Sequence, residues 1–160
     1  MIPFKIGFTP SGLGRVEFRA DVMTADRMSL RSILFKLDTA SDFTTLSLTD
    51  LKRLGYTQEQ LQECKIFEGS ASTGGGDLEL RYIENVSIKF EDREIQNARV
   101  FFAPKTKLRS LFGCDILKYF NFSVDYDNGS LMLSKASKSP ALSQGETPIQ
   151  IYSINLNKGF

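Results

Sequence analysis

The 160-residue chain reads as a mostly β protein, a barrel-like domain carrying a few short helices. Three observations predict this. Residues 15–22 alternate polar and apolar side chains, the signature of a strand with one buried face. Short runs rich in β-branched and aromatic residues recur at 86–90, 95–102, 122–125 and 131–133, the last after the turn Asp127-Asn128-Gly129. Helical capping signals, by contrast, occur only between residues 47 and 61 and briefly near residue 115.

Taken in order, the strand at 15–22 is followed by a polar connection over 23–31. A more buried strand, Ile33-Leu34-Phe35-Lys36-Leu37, then runs directly into Asp38. The two strands form a β-hairpin that delivers an acid at its end. Ser47-Leu48-Thr49-Asp50 and Thr57-Gln58-Glu59-Gln60 each place a hydroxyl at an N-cap and an acid or amide three residues on. They open two short helices separated by Gly55, with Leu51, Leu54 and Leu61 facing the core. Residues 66–68 and 78–80 flank Gly69-Ser70-Ala71-Ser72-Thr73-Gly74-Gly75-Gly76, a glycine-rich hairpin tip that no Gly-Lys-Ser/Thr turns into a phosphate loop. Phe101, Phe102, Phe112, Tyr119, Phe120 and Phe122 read as core aromatics, and Asp125 and Asp127 as turn residues. From Ser134 the composition shifts to Ser, Lys, Pro, Gly and Gln, which marks a linker before a second alternating run at 149–154. The expected division is a domain over 1–134 and a linker with a C-terminal tail over 135–160. No internal repeat is present.

The composition narrows the chemistry. A net charge of +1 with scattered Lys and Arg gives no field to draw nucleic acid or an anionic membrane. No apolar run approaches the ~18 residues of a membrane span, and the N-terminus lacks a leader pattern, so a cytoplasmic protein is expected. The chain has no histidine and two cysteines, Cys64 and Cys114, expected to be reduced. Ser-His-Asp and Cys-His catalysis both need an imidazole, and most catalytic zinc sites use one. No metal and no cofactor are expected. Carboxylate chemistry remains.

An acid at the end of a buried strand is costly unless it is partnered or has work to do. Here it opens Asp38-Thr39-Ala40-Ser41, and a second segment, Ser110-Leu111-Phe112-Gly113-Cys114-Asp115-Ile116-Leu117, follows much later. Together these motifs resemble those of retropepsin-like aspartic proteases over residues 13–134. The resemblance implies a closed acid-protease barrel with short helices and a flap hairpin. It implies that Asp38 is catalytic and that Thr39, Ala40 and Ser41 support the active-site loop. Asp42, Ser72, Thr73, Gly74, Gly75 and Gly76 would contact substrate, while Leu111, Phe112, Gly113 and Asp115 form the structural motif, Asp115 capping a short helix. Two acids are needed and one loop is present, so a homodimer acting on a peptide or protein substrate is implied. The terminal run at 149–154 either completes a dimer sheet, forms an edge strand or is a disordered tail. Two departures stand out: Ala40 replaces the commoner glycine, and Cys114 stands where an arginine pairs with the acid at the Asp42 position. The functional expectation is an aspartic endopeptidase; the alternative is a non-catalytic peptide-binding or dimerisation module with the same fold.

Overall fold

The computed structural model describes residues 4–7, 15–26, 29–73, 75–90, 93–142 and 146–154. In chain order the elements are β1 (Phe4–Gly7), β2 (Glu17–Thr24), β3 (Leu30–Leu37), α1 (Leu48–Arg53), α2 (Gln58–Glu63), β4 (Lys65–Ile66), β5 (Ser72–Thr73), β6 (Gly76–Asp77), β7 (Arg81–Phe90), β8 (Arg93–Phe102), β9 (Leu111–Phe112), α3 (Cys114–Leu117), β10 (Phe120–Asp125), β11 (Ser130–Lys135) and β12 (Gln150–Ser153). The protein is mostly β, as expected. A seven-stranded sheet runs β12-β8-β7-β2-β3-β9 with β4 on β7, beside a three-stranded sheet β1-β11-β10 and the small β5-β6 hairpin. The large sheet is a curled half-barrel, which is as much of the expected closed barrel as the strand ladders form. Its β9 edge is linked back toward β8 through isolated pairs of Thr45 with Leu111 and Phe101.

Alternation on β2 turns Phe18, Ala20, Val22 and Thr24 inward, and on β3 it does the same for Ile33 and Phe35. These strands are longer than the sequence pattern suggests. Met23 pairs with Leu30, and Thr24 with Val86, so much of the expected polar connection is spent in the ladder. Phe112 stacks on Phe35 at 4.7 Å between ring centroids and lies 5.1 Å from Phe18, which buries the second motif in the main core. A second apolar cluster holds Phe43, Phe67, Leu80, Phe101 and Tyr82 under the glycine-rich hairpin. Phe101, Phe102, Phe112, Tyr119 and Phe120 are buried as expected. Phe122 is not: it is 38% exposed, on β10, an outer strand of its sheet.

Both capping boxes form helices, with Leu51, Leu54 and Leu61 fully buried. The Thr57 box closes on itself, Gln60 Oε1 accepting from Thr57 N at 2.9 Å. The Ser47 box closes through a distant residue. Ser110 Oγ accepts from Ser47 N at 2.9 Å and donates to Asp50 Oδ2 at 2.6 Å, tying α1 to the start of the second motif. Midway along the long β7–β8 hairpin the register shifts beside Asn85 and Asn97, both left-handed at φ 57° and 60°. Asparagine is among the few residues that take this conformation at modest cost.

The C-terminal run forms an edge strand, β12, antiparallel to β8 of its own chain; residues 155–160 lie outside the described residues. Lys118 pairs with Glu146 at 2.6 Å and Ile149 N donates to the Tyr119 hydroxyl at 3.3 Å, so 146–154 lie against the domain. Cys64 and Cys114 are not joined to each other. No described helix is long and apolar enough to cross a membrane.

Ser110 is buried, so its two bonds have no ready substitute in water. Ser110→Ala should lower unfolding free energy by about 2 kcal/mol, since it orphans Ser47 N–H. Urea unfolding measures this, and a loss below ~0.5 kcal/mol would show that the α1 cap does not depend on the second motif.

Candidate active site

The two motifs meet as backbone. β3 and β9 are parallel neighbours, with Leu37 opposite Phe112, and Asp38 N donates to Phe112 O at 3.0 Å. A tight turn follows, closed by Ser41 N to Asp38 O at 3.3 Å, with Thr39 and Ala40 exposed at its tip. The Asp38 side chain is 20% exposed. Its Oδ1 accepts from Ala40 N at 3.1 Å, and its Oδ2 is 2.9 Å from Lys36 Nζ. The loop's own amide and the Lys36 ammonium, rather than the Ser41 hydroxyl, thus orient the carboxylate. The Ser41 hydroxyl turns instead to Phe43, donating to its O at 2.8 Å and accepting from its N at 3.3 Å.

The underside of the loop is clamped by the second motif. Cys114 N donates to Ser41 O at 2.8 Å, Cys114 Sγ to Thr39 O at 3.2 Å and Asp115 N to Asp42 O at 3.2 Å. Gly113 is required for space: a Cβ there would lie 2.4 Å from Phe43 O, against backbone that has nowhere to go. Gly113 N donates to Thr44 Oγ1 at 3.1 Å. Asp115 does not cap α3 from the N-cap position, which Gly113 occupies without a side-chain bond. Its carboxylate takes the Thr44 hydroxyl at 2.6 Å, Thr44 N at 3.0 Å and Ile116 N at 2.9 Å. Burial pushes the Asp115 carboxyl above the usual carboxylate range, and the Thr44 and Ile116 bonds offset this only in part.

The glycine-rich hairpin stands apart from this knot. Ser72 pairs with Asp77 and Thr73 with Gly76, which has φ 118°, a conformation that favours glycine; Gly75 N donates to Thr73 Oγ1 at 3.2 Å. Gly74 lies outside the described residues. The hairpin joins the motif loop through aromatic rings at its root: Phe67 lies 5.0 Å from Phe43 and 5.5 Å from Phe101. A cavity of about 540 Å³ opens on this side, lined among others by Asp42, Phe43, Phe67, Phe101 and Cys114. Asp38 and the residues of the glycine-rich hairpin do not line it. The exposed Asp42 carboxylate has no ion-pair partner among the described residues. Those residues also contain no cluster of three His, Cys, Asp or Glu that could hold a metal.

Lys36 is the residue that sequence reading overlooked, hidden inside an apolar run. The available signal was spacing: residues two apart on a strand share a face, so position 36 must accompany Asp38.

A family model described as aspartyl protease matches residues 20–116, well over half of the chain, and spans both motifs. The chain belongs to the aspartyl protease family. A solved structure of a retropepsin-like aspartic protease from Rickettsia conorii superposes with a TM-score of 0.54 at 20% identity, covering 82% of this chain and 89% of that one. At that identity the likeness shows a shared retropepsin-like fold. The comparison with curated proteins gave no match.

In this aspartyl protease domain the raised carboxyl of Asp115 has a pH consequence. The folded state holds that proton more tightly than the unfolded chain, so stability falls as the pH rises through and above the unfolded carboxyl range. Relative to wild type, Asp115→Asn should therefore gain ground between about pH 3 and neutrality. Denaturant titrations at several pH values check this; a trend of opposite sign would mean that the Thr44 bonds outweigh burial.

Proposed function

We propose that the protein is a homodimeric aspartic endopeptidase in which two Asp38 carboxylates, one from each copy, activate a water against a peptide carbonyl. One carboxylate is ionised and takes a proton from the water. The other is protonated and donates to the carbonyl oxygen. A single chain carries one such loop, so a two-fold dimer supplies the second acid. The observation that carries this reading is the presentation of Asp38: a partly exposed carboxylate at the end of a core strand, on a turn clamped from below by the second motif. Membership of the aspartyl protease family supports it. Thr39, exposed at the tip of the turn, is suited to bond across the interface, while Ala40 and Ser41 shape the turn itself. The hairpin with Ser72, Thr73, Gly75 and Gly76 serves as a flap, closing over an extended peptide and excluding water. Asp42 then meets the substrate backbone.

One observation favours a second reading. The Lys36–Asp38 pair engages the acid as a salt bridge would, and a peptide-binding module with this fold would keep such a pair without cutting.

Asp38→Asn separates the two readings. It keeps shape and hydrogen-bonding capacity but removes the base, so peptide hydrolysis should fall by about 10³-fold or more while thermal unfolding and peptide binding persist. A rate within tenfold of wild type would sink the catalytic assignment.

Subunit mixing tests the shared site. With equal amounts of wild type and Asp38→Asn allowed to exchange, about a quarter of dimers carry two acids, and activity should fall to about half of that expected from the wild-type chains alone. Activity strictly proportional to wild-type chains would show that each chain works by itself.

A further inference from the structure

Lys36 brings a cation to the carboxylate of Asp38 that the acid chemistry does not use. Its Nζ lies 2.9 Å from Asp38 Oδ2, and its side chain is 31% exposed. The strand fixes this position. Lys36 N donates to Ser110 O at 3.1 Å, and the residue pairs with Glu17 on one side and Leu111 on the other. Glu17, directly across the ladder, lies near Arg109 at 3.7 Å, so among the described residues Asp38 is the only acid within ion-pair distance of Lys36.

We infer that Lys36 selects substrates with an acidic side chain beside the scissile bond. The inference rests on the reading of Asp38 as one half of a catalytic pair, and charge counting carries it. Two Asp38 carboxylates sharing one proton bear a single negative charge. Two Lys36 ammonium groups stand beside them, one from each copy. The centre of the dimer then holds one positive charge in excess, at a place where a bound peptide shields it from water. A Glu or Asp side chain on a residue flanking the scissile bond supplies the missing anion. The distances allow it: the attacked carbonyl sits about 3–3.5 Å from the reacting groups, and a carboxylate on the same residue falls within a few Å of an ammonium on a flexible four-carbon stem. A Lys or Arg at that position meets like charge instead.

The experiment uses the full-length protein and matched peptides that differ only at the residues flanking the cut, carrying Glu, Gln or Lys. Wild type should cleave the Glu peptide with kcat/KM about tenfold above the Gln peptide, with the Lys peptide slowest. Lys36→Leu should bring the Glu-to-Gln ratio close to one, and Lys36→Arg should keep it. Should Lys36→Leu fail to fold, added salt tests wild type directly, because the ratio must shrink as ionic strength rises. Equal cleavage of the Glu and Gln peptides by wild type overturns the inference while leaving the catalytic reading intact, as does a ratio that survives Lys36→Leu. No cleavage of any peptide by the folded dimer overturns the catalytic reading and this inference together.

Discussion

The chain after β3 and the chain around β9 are stitched together as backbone, and the candidate site is the product of that seam. Asp38 N reaches Phe112 O, Thr45 exchanges two bonds with Leu111, and Cys114 N reaches Ser41 O. These are main-chain bonds, so they hold the loop whatever its side chains do. The side chains then lock the register. Phe112 sinks between Phe18 and Phe35, Gly113 leaves room for the Phe43 backbone, and Asp115 satisfies both donors of Thr44. A buried hydroxyl and amide without that carboxylate would each carry a desolvation penalty of about 1–3 kcal/mol. The acid at position 38 is therefore presented by a structure whose supporting polar groups are partnered, while its own carboxylate, bonded to Ala40 N and Lys36, stays partly exposed.

Local pattern made much of this legible. Alternation located β2, an apolar run located β3, hydroxyl-to-acid or hydroxyl-to-amide spacing located both helices, and the glycine run located the hairpin over Phe67. The meeting of Asp38 with Gly113 was also readable, but only because two motifs were weighed together. What sequence concealed is the set of partners that distant segments supply. Nothing near Ser47 shows that Ser110 completes its cap, and nothing near Asp115 shows that its carboxylate holds the distant Thr44 as well as Ile116 N of its own helix. Phe122 failed for a related reason: hydrophobicity does not reveal that β10 lies at the outside of its sheet. Lys36 was missed because its neighbours are apolar, although the period of a strand already placed it beside Asp38.

The two departures from the family pattern read differently in the folded chain. Ala40 sits at an exposed turn and its amide, which any residue would supply, orients Asp38. Its methyl group leaves that bond untouched. Cys114 keeps the backbone bonds of its position but brings no cation to Asp42, whose carboxylate faces the neighbouring cavity. The cation beside this loop is Lys36, at 2.9 Å from Asp38 Oδ2.

The bond between Thr44 and Asp115 spans 71 positions, and the one between Ser47 and Ser110 spans 63. Contacts of such long range form only after the entropy of closing a large loop has been overcome, which makes them slow steps in folding. A chain that has made its β2–β3 hairpin, a local structure, already contains Asp38, yet the turn that displays it has no floor until residues 110–115 arrive. The display of Asp38 is thus completed late, with the arrival of residues 110–115 rather than with the acid itself. An immature chain therefore carries the acid but not the turn that presents it.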